Sequence, residues 1–326
     1  MESGKPRLAL TIGDPAGIGP EIVVKSLADR EVRACCRPLV VGDAALLRHV
    51  AKACGVGLDA EIVDLGNARG IAYGEVDARA GAAAVQYVEE ACRLVRDGEV
   101  DGLVTAPINK AAIRAAGSDF PGHTEMLAAL LGRENDEVFT MFVLGRLRIF
   151  FLTRHYPLAE AIGRITTERV VDALTRISAL LGMLGTETPQ IALAALNPHA
   201  GENGLLGREE GEILEPAVAA ARSGGVDVVG PVPADAVFHQ CLRGRYDAVL
   251  CLYHDQGHIA AKTVDFFGTV SCTLGLPVIR TSVDHGTAFD IAGRWIADAG
   301  GQVAATRVAA ELAPRVLAAT RTARGS

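Results

Sequence analysis

The chain has 326 residues, 49% of them hydrophobic and 22% charged, with a net charge of −7. That balance supplies a sizeable core and excludes a disordered chain, while the acidic total argues against nucleic acid as a partner. The length calls for two lobes or one large α/β unit, and aromatic content of only 5% leaves Ala, Val, Leu and Ile to fill the interior.

In chain order, short β-prone runs alternate with longer Ala-rich segments of helical period, the pattern of a mostly parallel sheet. The spacing predicts a strand over Arg7–Ile12, a helix over Pro20–Ala28 and a strand over Pro38–Val41. A helix over Ala44–Cys54 and a short strand over Ala60–Leu65 follow. Arg79–Asp97 reads as a long amphipathic helix with Val85, Val88, Cys92 and Val95 on one face and Gly98 past its end. Gly102–Thr105 is a further strand, and helices are predicted over Thr167–Leu184, Glu209–Ala221 and Gln302–Thr320. The stretches Gly117–Gly122 and Asp265–Gly268 are the candidate crossings between lobes, which would place both termini in one lobe. Seven cysteines, odd in number and without a Cys-x-x-Cys pair, point to reduced thiols. Met1–Pro6 has no signal-peptide stretch and no uncharged apolar run would cross a bilayer, so a cytoplasmic protein without membrane contact is expected.

Three of the eight histidines each follow an apolar strand-like run. They are His155 after Leu147–Leu152, His199 after Gln190–Leu196, and His254 in the run Ala248–Tyr253 and beyond. Sites in α/β proteins gather at the carboxyl ends of strands, and three imidazoles there suit one metal with positions left open. His258 lies four residues after His254 but is set aside, because the intervening Gly257 weakens a regular helix.

Thr11–Glu21 follows the first strand with glycines at 13, 17 and 19, and lacks the ordinary Gly-x-Gly-x-x-Gly spacing. Gly122-His123-Thr124-Glu125 sits at a predicted helix start, where amides, a hydroxyl and an imidazole would meet an anion. Lys262 and Arg280 flank the third histidine's segment as candidate phosphate contacts. Asp284–Gly293 resembles the loop that holds the adenosine end of NAD in the isopropylmalate dehydrogenase-like fold, and Thr11–Glu21 resembles the opening of that fold.

With Thr105–Lys110, Asn197–Glu202, Tyr253–Gly257 and Gly275–Ala288 added, the chain resembles the 4-hydroxythreonine-4-phosphate dehydrogenases of pyridoxal phosphate synthesis, from about Arg7 to the last helix. The resemblance implies a two-lobed α/β/α sandwich with the active site in the cleft between lobes. Residues 1–120 plus 265–326 would form the NAD-binding lobe, and 121–264 the metal, substrate and dimerisation lobe. It implies a homodimer with shared active sites and one divalent metal per site on His155, His199 and His254. Zn, Mg, Mn and Co are candidates, and histidine ligands favour a transition ion such as zinc. Substrate contacts fall on His123, Thr124, Lys262 and Arg280, with Ser271 where the family commonly has asparagine. Asp235, Asp255 and Lys262 form the catalytic set, the two aspartates as alternatives for shaping the metal pocket or relaying the proton. Cofactor contacts fall on Gly13, Asp14, Asp284, His285, Gly286, Thr287 and Asp290, with NAD the default and NADP open.

The reaction so implied is NAD-linked oxidation of 4-phosphooxy-L-threonine to a 3-oxo acid that decarboxylates to 3-amino-2-oxopropyl phosphate. A catabolic dehydrogenase of 4-phospho-D-threonate or 4-phospho-D-erythronate is the nearest alternative, to which Asn203–Gly207 and His258 lie closer. A phosphate-free relative acting on a terephthalate-derived cis-diol is disfavoured by Gly122–Glu125 and Arg280. A metal-dependent hydrolase and a non-catalytic metabolite-binding protein are the readings from other classes.

Overall fold

The computed structural model describes residues 4–134 and 137–324. The first part of the chain runs β1 (Arg7–Thr11), α1 (Gly19–Ala28), α2 (Arg30–Cys35), β2 (Arg37–Gly42), α3 (Ala44–Cys54) and β3 (Glu61–Asp64). It continues with α4 (Ala78–Arg96), β4 (Gly102–Thr105), α5 (Lys110–Ala115) and α6 (His123–Leu130). A middle part comprises β5 (Phe139–Leu144), β6 (Leu147–Phe151), α7 (Leu158–Gly163), α8 (Thr167–Met183) and β7 (Ile191–Ala194). After it come α9 (Glu215–Ser223), β8 (Val228–Val232), α10 (Ala234–Leu242), β9 (Ala248–Cys251) and α11 (His254–Val264). The chain closes with β10 (Val270–Leu274), β11 (Ile279–Val283) and α12 (Gly300–Arg324). The fold is α/β.

The chain divides into two compact units, 1–139 with 270–326, and 140–269. Residues 121–139, expected with the second lobe, thus group with the termini, because α6 packs against α4. Residues 265–269 group with the second unit.

In the first unit the strands run β3-β2-β1-β4-β11-β10. All pair in parallel except β10, which is antiparallel to β11. The central strands are buried on both faces and so read as unbroken apolar runs such as Leu8-Ala9-Leu10. Side-chain caps start the helices: Asp43 accepts from Leu46 N, Asp77 from Arg79 N and Asn109 from Ala112 N. In the second unit the order is β5-β6-β9-β7-β8. β5 and β6 form an antiparallel pair, and the remaining pairings are parallel. Its core joins Phe142, Ile149, Phe151, Val237, Tyr246 and Val249.

Several elements lie outside the sequence expectation. Helices α2 and α5 have six residues each, too few to carry a 3.6-residue period, and asparagine or aspartate caps define them instead. The helix expected over Glu209–Ala221 opens with a π-helical turn, Glu210–Leu214, before α9 begins. The seven cysteines are unpaired, as free thiols require. Among the described residues no helix is long and apolar enough to cross a membrane.

Candidate active site

In the first unit β1, β4 and β11 are neighbours and parallel, so the loops that leave them share one edge of the sheet. Those loops are Gly13–Ile18, Ala106–Asn109 and Asp284–Asp290. They are tied together: Asp14 N donates to Pro107 O (2.9 Å), and Ile18 N to Thr287 O (3.0 Å). The two stretches expected to hold the cofactor are therefore brought into contact. Asp14 is fully buried; its Oδ1 accepts from Ala16 N (2.8 Å) while Oδ2 has no partner. Burial raises its pKa to about 6. Thr287 is buried, Gly286 and Asp290 are exposed, and a Cβ added at Gly286 would meet open space. His285 Nδ1 lies 3.0 Å from Gly286 O. An open rim over a packed loop pair fits a dinucleotide.

The glutamate that ends the opening motif has a separate task. Glu21 Oε1 accepts from Lys25 Nζ (2.7 Å) and Ala297 N (2.8 Å), and Lys25 also donates to Trp295 O and Ala297 O. This pair, a half-buried lysine on a buried glutamate, clamps the chain after the 284–290 loop onto α1. Trp295 packs edge-on against Tyr73, with ring centroids 5.4 Å apart, in the packing role its sequence context suggests.

Arg280, on β11, is 4% exposed. Its Nε and Nη2 donate to Thr105 Oγ1 (3.0 and 2.6 Å), and Nη1 donates to Thr273 Oγ1 (3.2 Å). Register explains the set. Thr273 stands opposite Arg280, and Thr105 is two positions along on the neighbouring strand, so all three share one face. No carboxylate forms an ion pair with Arg280 among the described residues. Burial consequently lowers its pKa to about 10, partly offset by Cys272 and Glu125. His123, the first residue of α6, has a sealed Nε2 with no hydrogen-bond partner. Burial, then the charge of Arg280, holds its pKa well below the usual histidine value. A buried cation with hydroxyl partners and a neutral imidazole under its influence is a site prepared for an anion. Thr124 follows on α6, and Ser271 on β10 stands opposite Ser282 on β11.

In the second unit β6, β9 and β7 lie side by side and parallel. His155, His254 and His199 therefore leave the sheet at one edge, as their positions after apolar runs suggest. The ring centroids of His155 and His254 are 5.7 Å apart, and both rings line a cavity of about 490 Å³ with Arg154, Tyr156, Tyr253 and Asp255. His199 stands in an exposed turn with Nδ1 4.0 Å from Glu202 Oε1. Among the described residues no group of three or more His, Cys, Asp or Glu side chains is gathered as a metal site. The chemistry of the donors nevertheless fits a divalent ion. Asp255 Oδ1 lies 2.6 Å from His254 Nδ1, the carboxylate–imidazole pairing that orients a ligand ring and leaves Nε2 for metal.

His258 corrects the sequence reading. Helix α11 runs through Gly257, and glycine is required there because a Cβ would lie 2.5 Å from Phe151 Cε1 and 2.8 Å from Ile149 Cγ2. The glycine is a close-approach residue against β6, not a helix end. His258 consequently stacks on His254 with centroids 3.5 Å apart and planes 12° apart, its Nδ1 3.1 Å from His254 O. Burial, then His254, lowers its pKa to about 3, so it is neutral and donates from Nδ1. The i, i+4 histidine spacing was the signal that could have found it. His254, Asp255, His258 and Lys262 border a second cavity, of about 420 Å³, and Lys262 Nζ lies 5.3 Å from the Phe266 ring centroid. Asp235 is exposed in the first turn of α10.

Both units carry their candidate residues at the carboxyl ends of parallel strands, where α/β enzymes place their sites. The family model described as pyridoxal phosphate biosynthetic protein PdxA matches residues 34–309, and the chain belongs to the PdxA family. A relative from Symbiobacterium thermophilum, provisionally named a D-threonate 4-phosphate dehydrogenase, is 48% identical over 95% of this chain and 97% of its own. The crystal structure of a 4-hydroxythreonine-4-phosphate dehydrogenase from Burkholderia phymatum is similar at 43% identity and TM-score 0.82, covering 94% of this chain and 98% of that one. The corresponding enzyme from Klebsiella pneumoniae is similar at 38% identity and TM-score 0.87, covering 96% and 99%.

Proposed function

We propose that this chain oxidises the secondary hydroxyl of a four-carbon hydroxy acid bearing a 4-phosphate, with NAD as hydride acceptor and a divalent metal on His155, His199 and His254. The observation that carries the reading is Arg280, a buried guanidinium that donates to hydroxyls and forms no ion pair among the described residues, beside the neutral His123. A phosphate dianion would supply the paired counter-charge that the hydroxyls do not. With the phosphate fixed by Arg280, His123 and Thr124, the carbon to be oxidised is held in one orientation. When bound, the metal would supply Lewis-acid stabilisation of the developing alkoxide, and NAD would take the hydride. Asp255 keeps the His254 ring in place through Nδ1. Either Asp255 or Asp235 receives the hydroxyl proton on a carboxylate oxygen. The 3-oxo acid formed then loses carbon dioxide.

The metal set is read as shared between two copies in a homodimer. His155 and His254 line one cavity of a single chain, whereas the His199 side chain is 69% exposed, as a ligand offered to a second copy would be.

We place 4-phospho-D-threonate first as substrate, because the curated relatives at 43–48% identity carry that name. 4-Phosphooxy-L-threonine is the second reading, supported by the names of the solved structures at 38–43%. The two acids differ in a hydroxyl against an ammonium group, and Ser271 stands where the family resemblance leads to asparagine. The test is NADH formation with each of these acids and with 4-phospho-D-erythronate, with and without chelator, and with NADP in place of NAD. Chelator-sensitive turnover favouring the sugar-acid phosphate is expected. Preference for the amino acid phosphate would move the chain to the second reading, and no NADH from any of them would overturn the substrate class.

A further inference from the structure

The turn that carries His199 has an unusual backbone. His199, Ala200, Gly201, Glu202 and Asn203 all have positive φ (52°, 55°, 76°, 44° and 56°), a left-handed run of five consecutive residues. L-residues enter that region singly and asparagine or glycine most readily, so His199, Ala200 and Glu202 are held there against their preference. Burial does not hold them, because within the run only Gly201 is buried.

Backbone bonds from Ala200 N to Asn197 O (3.2 Å) and from Leu206 N to Gly201 O (3.0 Å) close the turn, and one side chain braces it from beneath. Glu210 is 3% exposed and opens the π-helical turn. Its Oε1 accepts from Leu196 N (2.9 Å) and Asn197 N (2.7 Å), and its Oε2 accepts from Asn197 Nδ2 (2.8 Å). The neighbouring Glu209 also accepts from Asn197 Nδ2 (2.7 Å), so consecutive glutamates converge on one amide. A Cβ at Gly201 would lie 2.7 Å from Glu210 Oε2, so the middle of the turn rests directly on the carboxylate. No lysine, arginine or histidine pairs with Glu210 among the described residues, and the three N–H donors alone satisfy it. π-Helical turns of this kind recur where a helix is adjusted for a site.

We propose that Glu210 is a positioning residue that latches the left-handed turn and thereby presents His199 to the metal. The inference rests on the proposed function for the role of His199. Through Glu210 the backbone amides before the turn are fixed, and the imidazole is aimed from a conformation the free chain would leave. Glu210→Gln removes the charge and turns one acceptor into a donor facing Asn197 Nδ2. Gly201→Ala disturbs the same contact from the other side.

The experiment compares Glu210→Gln, Gly201→Ala and His199→Ala with the unaltered protein, each confirmed folded by circular dichroism. Hydrogen exchange of the metal-free protein is followed over residues 196–207, and zinc affinity is measured by competition with a chromophoric chelator. Both latch variants are expected to exchange at least about tenfold faster in that segment only, and to bind zinc about 10- to 100-fold more weakly. Zinc binding lost in His199→Ala but kept in Glu210→Gln and Gly201→Ala would overturn the latch while leaving the metal reading intact. Zinc binding unchanged in His199→Ala would overturn the metal reading and the presenting role with it. Unchanged exchange over 196–207 in both latch variants would overturn the proposal directly.

Discussion

Replacing Arg280 by methionine is expected to leave the ligand-free protein as stable as before, or more so, while abolishing its response to phosphate. Burial lowers the guanidinium pKa from 12.5 to about 10, which means that holding the charge in the fold costs about 3 kcal/mol. At neutral pH the group is protonated in both the folded and unfolded states, so this penalty is present in full. Against it stand hydrogen bonds to two hydroxyls, those of Thr105 and Thr273, worth about 1.5 kcal/mol each for a charged donor after exchange with water. The two nearly cancel, and a methionine of similar length fills the space without the charge. Phosphate binding to the unaltered protein adds about 2.7 kcal/mol at a concentration 100-fold above Kd. At about 2 °C per kcal/mol for a chain of this size, Tm rises by about 5 °C. The assay is thermal unfolding of both proteins across a phosphate series at constant ionic strength. A variant that loses more than about 3 kcal/mol without phosphate, or that still gains stability with it, would refute the reasoning, because Arg280 would then be structural.

Three further outcomes are expected. The folded state holds a proton on Asp14 between pH 3.8 and about 6 that the unfolded chain has released, so stability falls across that window and stays lower above it. Asp14→Asn should remove this slope, and its advantage in urea unfolding should grow by about 3 kcal/mol from about pH 4 to pH 7; parallel curves would show that Asp14 is not the cause. Gly257→Ala forces a methyl group into Phe151 and Ile149, and should cost about 1–3 kcal/mol by denaturant titration, with weaker metal binding as α11 shifts. Lys25→Met leaves the buried Glu21 carboxylate with only one backbone donor and should cost about 3–5 kcal/mol, more than Glu21→Gln; equal losses would mean that the pair is not coupled.

Much of the site was legible because strand ends are legible. The apolar runs before His155, His199 and His254 are three neighbouring parallel strands, and parallel pairing forces their carboxyl ends to one edge. Thr11–Glu21 and Asp284–Asp290 could be paired by resemblance, and β1 and β11 flank β4 as that pairing requires. Short elements were less visible: β10 and β11 carry Thr, Ser and Arg, whose polarity hides a strand until Arg280 is seen bound to Thr105 and Thr273.

By itself the sequence determined the α/β class, the order of most elements, and which residue types stand at the strand ends, since period and composition are local properties. Tertiary structure alone decided why a glycine stands inside α11, because the reason is a Phe151 ring pressed against it from β6. It alone placed His258 on His254, set Arg280 against the hydroxyls of Thr105 and Thr273, and put Glu210 beneath a left-handed turn. Each depends on atoms far apart in the chain meeting at van der Waals or hydrogen-bond distance, and no local pattern encodes those distances.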